Sequence, residues 1–471
     1  MSSTAPAESA PVAQRTLPRV LGLLDAVTVV IGSIIGSGIF LKVGNVAGAL
    51  HYFGPIISVW VAVGLVTLCG SLALAELAAM LPRAGGPYVY IREAYGPLPA
   101  FLWGWTEFWV VRTGSVGALS CATVIYFNEL VPMHRFAQAT LAVVIVLGLS
   151  GVNMFSTRWG ATVQNITSFV KIAFLAGIIV LPFVLADVAR PAAEPMWPET
   201  ASFNLWRGVG VAMIAVLWPY DGWINIAPVA EEIREPQRNV PLALIVGMSL
   251  VICVYVGANV GYHMMLSTSE IEQTSRVAAD FFRKLFGEVG AQVAAAGVMC
   301  STFGAVNSNM LTGPRIYFAV ARDGLLPSAI CRVHSQYQTP ACAIGIQAVW
   351  TTLLIVIFYA WKPDPKAAFD GLTDSVILGG LIFYSMSVAA VYVLRHKRPE
   401  LPRPYRTWGY PVTPALLLAT YALALVTMLI EHGTESASVV GLIAAGAVFY
   451  FFSSRRLRRV AAAIAGEVPP M

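Results

Sequence analysis

The sequence predicts an all-α integral membrane protein of about twelve spans, with the first and sixth spans discontinuous. Three observations lead there. Of 471 residues, 57% are apolar and 12% charged, against roughly 25% charged in soluble domains. Apolar stretches recur at 20–50, 55–81, 98–131, 136–155, 160–187, 207–232, 239–266, 288–320, 340–361, 371–395, 412–431 and 437–454, most of them near the length of about 20 residues that a crossing helix needs. Two of these stretches, the first and the sixth, carry residues that oppose a continuous helix.

Residues 1–18 are rich in Ala, Ser and Pro and read as a disordered tail, not a cleavable signal. In the first span, Gly36-Ser37-Gly38 lies inside the apolar run Ile31–Phe40. Glycine destabilises a helix interior by about 1 kcal/mol relative to alanine. The stretch therefore favours an open loop with bare N–H groups, which membranes tolerate only beside a cavity or inside protein. A half-helix beginning near Gly38 would aim its N–H groups and positive dipole end at that cavity, a site for a carboxylate. The competing reading is that Gly32 and Gly36 only let another helix pack close. Lys42 follows, near enough to the outer face to snorkel into water.

After the second span, Pro82–Tyr88 and the residues to Pro97 form a turn-rich, aromatic loop that reads as an interfacial or re-entrant piece. The third span holds Glu107 and Arg112, whose cost in hydrocarbon points to an ion pair with each other or with Glu76. The fifth span carries Lys171, too deep to snorkel. It either stays charged, held by carbonyls and hydroxyls, or loses its proton through burial. In the first case it replaces a bound metal ion; in the second it couples transport to protons. The sixth span is interrupted at Leu217–Trp223, where Pro219 removes an intrahelical N–H, Gly222 weakens the helix and Asp221 needs a partner or a cavity. The segment Glu270–Phe286 reads as a short helix over the outer mouth. Ser301, Thr302, Asn307, Ser308 and Asn309 of the eighth span should face the interior.

Lys and Arg cluster between the tenth and eleventh spans and after the last, while Glu431–Ser438 has neither. Both termini should then be cytoplasmic. This bias accounts for the net charge of +5 and leaves no argument for nucleic acid. The six cysteines lack paired spacing, and no cluster has metal-ligand spacing, so neither metal nor cofactor is expected. The two breaks occupy corresponding places if 19–190 and 203–395 are five-helix repeats of opposite orientation, with 412–455 as two extra helices and 456–471 as a cytoplasmic tail. A pair of Gly/Pro-interrupted segments at matching places points to a transporter site at the midplane.

The motifs Ile34–Phe40, Pro82–Tyr88, Tyr220-Asp221-Gly222-Trp223 with Glu231-Glu232, and Arg322-Asp323-Gly324 with Leu326-Pro327 stand in order along the chain. With them the sequence resembles the amino acid–polyamine–organocation superfamily, and within it the L-type amino acid transporters and their bacterial relatives. The resemblance implies a LeuT-type fold of 5+5 inverted repeats plus two helices. It implies a substrate site at Ile34, Ile35, Gly36, Ser37, Gly38, Trp218, Tyr220 and Asp221. There the substrate carboxylate meets the N–H groups of Ser37 and Gly38, the ammonium meets the carbonyls of Ile34, Trp218 and Asp221, and Trp218 is the gate. It also implies that Lys171 stands where sodium-coupled relatives hold sodium, bridging Gly32 and Ser33 to Ser301.

The function expected is sodium-independent secondary transport of L-amino acids by alternating access, as an exchanger or a proton-coupled carrier, in the inner or plasma membrane. Neutral substrates are favoured; Asp221 keeps a cationic amino acid or polyamine carrier open. A membrane amino-acid sensor is a further alternative, and no nucleophile–base pair suggests an enzyme. The segment 128–134 has no cysteine, which argues against a disulfide-linked heavy chain. The remaining partners expected are the lipid bilayer and, at most, a second copy in a weak homo-oligomer.

Overall fold

Twelve helices long and apolar enough to cross a membrane run through the described residues: Leu23–Leu41, Phe53–Met80, Pro97–Asn128, Arg135–Phe155, Thr157–Val184, Asn204–Glu232, Pro236–Met265, Val277–Arg322, Ala341–Ala360, Gly371–Lys397, Val412–Ile430 and Ser436–Ser453. They are called the first to twelfth spans below. The structure is a computed structural model describing residues 17–185, 194–200, 203–274, 276–361, 365–431 and 433–464. Most of the two terminal tails expected from sequence lies outside those residues. The last helix runs on to Ile464.

The broken spans are central and the late ones peripheral. The first span is 78% buried, the last 22%. The first packs against the fifth and seventh, and the eighth against the third and fifth. Isolated strands are absent among the described residues; Leu21 and Ile233 form a single bridge that ties the approach to the first span to the end of the sixth.

The first span is helical over Leu23–Ile34, turns extended at Ile35 and resumes at Gly38–Leu41. A further piece, Val43–Leu50, follows a bend at Lys42. That bend corrects the expectation that Lys42 snorkels outward. The residue is buried, with its ammonium 5.6 Å from the centre of the Phe369 ring. The sixth span is helical to Tyr220, turns at Asp221-Gly222 and continues as a 3-10 helix, Trp223–Glu232. The loop after the second span forms a helix, Pro87–Tyr95. The segment over the eighth span's start divides into Thr268–Gln273 and a helix from Val277 that kinks at Gly287.

Candidate functional site

The two breaks meet backbone to backbone, and glycine permits each contact. A Cβ on Gly38 would lie 2.5 Å from Cα of Pro219 in the sixth span. A Cβ on Gly222, whose φ is +110°, would lie 2.6 Å from the Ser33 carbonyl oxygen. Each chain thus places a glycine where the other turns. Gly32, by contrast, is a close-packing glycine, set against Gln164 and Ser168 of the fifth span. Gly32 thus serves helix packing, while Gly38 and Gly222 serve the close approach of the two breaks.

Opening the helices leaves polar backbone to satisfy. The Tyr255 hydroxyl sits 3.1 Å from the Ile34 carbonyl oxygen and 2.9 Å from that of Pro219, so one side chain serves both breaks. Lys171 is fully buried and donates to the carbonyls of Gly32 at 2.9 Å and Ile35 at 2.6 Å. Ser301 donates to the Gly36 carbonyl at 2.9 Å. The arrangement corrects the bridge expected from the family: Ser301 bonds Gly36 and not Lys171, while the Ser33 hydroxyl pairs with Ser308. Among the described residues, the N–H groups of Gly36, Ser37 and Gly38 have no backbone acceptor.

These groups border a small cavity of about 30 Å³, room for about one water. Its wall includes Ser33, Ile34, Gly36, Ser37 and Gly38 from the first span, and Trp218, Asp221, Gly222 and Asn225 from the sixth. The third span adds Ser115 and Leu119, and the eighth adds Asn309. Trp218 lies across the break, its indole N–H donating to the Ser37 hydroxyl at 3.3 Å. Two expected site residues lie elsewhere. Tyr220, one position from the turn, points away, bonding the Trp60 carbonyl at 3.1 Å. Ile35 faces Lys171 through its carbonyl and does not line the cavity.

Sequence reasoning missed Ser115 and Asn225. The signal for Asn225 was its place, one 3-10 turn beyond Gly222, on the same side as the break. Glu107 and Arg112 pair with each other, and Glu76 pairs with Arg395.

A twelve-span membrane protein whose two discontinuous helices cross at a small cavity belongs to the class of membrane carriers. Sequence comparison narrows the class. The amino acid permease family model matches residues 21–457, and the chain belongs to that family, within the amino acid–polyamine–organocation superfamily. It is 30% identical over 446 residues to the human b(0,+)-type amino acid transporter 1, covering 93% of this chain and 88% of that one. It is 31% identical over 454 residues to the serine/threonine exchanger SteT of Bacillus subtilis (strain 168), covering 93% and 98%. The human large neutral amino acids transporter small subunit 2 is 31% identical over 445 residues, covering 92% and 80%. The chain is accordingly an amino acid transporter and not an enzyme.

Proposed function

We propose that this chain is a sodium-independent secondary carrier of neutral L-amino acids that works by alternating access. The observation that carries this reading is the meeting of the two breaks. It leaves the N–H groups of Gly36, Ser37 and Gly38 without backbone acceptors beside a cavity that Trp218 covers. A carboxylate accepts from such groups, and Ile34 and Trp218, whose carbonyls would take an ammonium, line the same cavity. Lys171 supports sodium independence, because its ammonium occupies the Gly32 and Ile35 carbonyls that a cation would otherwise take.

The cavity must widen before an amino acid fits, and the two five-helix halves, 19–190 and 203–395, would rock about the shared breaks to widen it on one side at a time. The arginine bias supports a cytoplasmic position for both termini. The absence of cysteine from 128–134, with Cys121 buried in the third span, supports a stand-alone carrier without a disulfide-linked partner. A second reading, cationic amino acid transport, has one observation in its favour: the Asp221 carboxylate borders the cavity.

Flux into liposomes holding the purified protein tests both. Radiolabelled neutral amino acids should enter without sodium and compete with one another, while the matching amines, lacking the carboxylate, should not compete. Uptake into empty vesicles under a pH gradient marks proton coupling, and uptake only into preloaded vesicles marks exchange. Dependence on sodium, or preference for lysine and arginine, overturns the reading.

A further inference from the structure

A buried arginine stands directly behind the cavity wall. Arg112 follows a single π-helical turn, Glu107–Val111, in the third span. A turn of this kind shifts the residues after it off the face that a regular helix would give them. The Arg112 side chain is 2% exposed. Its Nε donates to Glu107 Oε1 at 2.8 Å, Nη1 to Asn309 Oδ1 at 2.5 Å and Nη2 to Asn225 Oδ1 at 2.8 Å. Glu107 neutralises the guanidinium from the same helix, and the two amides belong to the eighth and sixth spans.

A guanidinium can only donate. It therefore fixes the orientation of both amides, with their oxygens toward Arg112 and their NH₂ groups turned away. The Asn309 NH₂ donates to the Ala305 carbonyl of its own helix at 2.9 Å. The Asn225 NH₂ has no acceptor among the described residues, although Asn225 is 5% exposed and forms part of the cavity wall. Asp221, an acceptor, is part of the same wall. The cavity thus offers a donor held in place by Arg112 together with a carboxylate acceptor.

We propose that Arg112 is a positioning residue for substrate selection. By holding the Asn225 oxygen it aims the Asn225 NH₂ into the cavity. With Asp221 this makes a donor–acceptor pair matched to a side-chain hydroxyl, which both accepts and donates. The carrier then selects small hydroxyl-bearing amino acids over hydrocarbon side chains of the same shape: threonine over valine, serine over alanine. Shape cannot separate threonine from valine. A site built to hydrogen-bond a hydroxyl can, because the analogue leaves buried polar groups unpaired. This inference rests on the carrier reading above and names the substrate class for that site.

The test measures threonine and valine uptake kinetics in liposomes holding the full-length protein. The wild type should favour threonine in kcat/KM by at least about tenfold. Asn225→Leu, nearly isosteric and without a donor, should bring the ratio close to one, mainly through KM. Arg112→Met combined with Glu107→Gln removes both buried charges together and should do the same. Arg112→Lys, whose compact ammonium lacks the planar fork that spans both amides, should give an intermediate ratio. A wild type that handles threonine and valine alike overturns the inference, as does an unchanged ratio in Asn225→Leu. If the charge-pair variant fails to insert, Asn225→Leu decides alone. Flux of no amino acid at all would refute the carrier reading, whereas flux without threonine–valine discrimination refutes only this one.

Discussion

The structure on the two sides of the breaks is held together by different physics. On the side of the Gly38–Leu50 pieces, the seal is aromatic. Trp218 lies over Ser37, Phe369 meets it edge-on at 6.1 Å, and Lys42 sits over Phe369. At the other end the seal is ionic. Glu232 and Arg315 form a fully buried pair joined by Thr157. Glu231 holds Arg322 and the N–H groups of Leu17 and Ala84, and Asp323 holds Tyr88 and Arg92. An aromatic lid can lift by a change of rotamer. An ionic seal cannot open by halves, because a buried charge parted from its partner is costly until water reaches it. On the alternating-access reading proposed above, the two openings should therefore have different barriers. The ionic end should move as a unit, and the Leu21–Ile233 bridge already ties the first and sixth spans together there.

The most damaging change strikes the junction that both seals share. Gly222→Ala puts a Cβ 2.6 Å from the Ser33 carbonyl oxygen at a backbone angle that L-residues avoid. Displacing the breaks by a fraction of an ångström should lower uptake by about a hundredfold, and Gly38→Val should do the same. Both proteins should still reach the membrane as monodisperse particles. Near-normal uptake in both would mean that the meeting of the breaks is incidental.

Next in size, Glu232→Gln leaves Arg315 buried and unpaired and should cost about 3–5 kcal/mol of stability, read as a large drop in melting temperature in detergent. Replacing both partners by apolar residues of similar volume should cost much less. Equal damage from the single and double changes would show that the ionic end is held by packing. At the aromatic end, Trp218→Phe keeps the ring contact and loses one hydrogen bond worth about 1 kcal/mol. The expected result is a KM raised about fivefold with little change in melting. A melting loss comparable to that of Glu232→Gln would erase the distinction between the two ends.

The breaks were legible in the sequence because their causes are local. Glycine at 36 and 38, proline at 219 and glycine at 222 interrupt a helix wherever they stand, and a lone lysine at 171 in an apolar span must find oxygen atoms. What the sequence could not supply was register between helices. Ser301 and Ser308 lie two turns apart on one face, and which of them reaches Gly36 and which reaches Ser33 depends on how far the eighth span slides along the first. The direction of Tyr220 depends on where the helix ends, one residue before Asp221. Lys42 looked free to snorkel because nothing in the sequence reveals the bend that folds it against Phe369. Arg112 reaches Asn225 across 113 positions, through a π turn that no composition rule announces.

The gentlest change tests whether the ionic end behaves as a unit. Tyr88 donates to Asp323 at 2.6 Å, beside Arg92. Burial, helped by the neighbouring Asp323 carboxylate, pushes the Tyr88 phenol above its ordinary value. It therefore stays protonated, and a donor, from neutral to mildly alkaline pH. Tyr88→Phe removes this one bond from a fully buried ring while Asp323 keeps Arg92, and should change stability by about 1 kcal/mol. Its effect on transport should be flat over that pH range, since the wild-type hydroxyl does not titrate there. If the ionic end opens as one body, this small loss should speed its opening and leave the threonine–valine ratio untouched. Pre-steady-state exchange currents or single-turnover uptake, compared with Trp218→Phe, would show the two substitutions acting on opposite halves of the cycle. Acceleration of the same half by both would mean that the two seals are coupled and not successive.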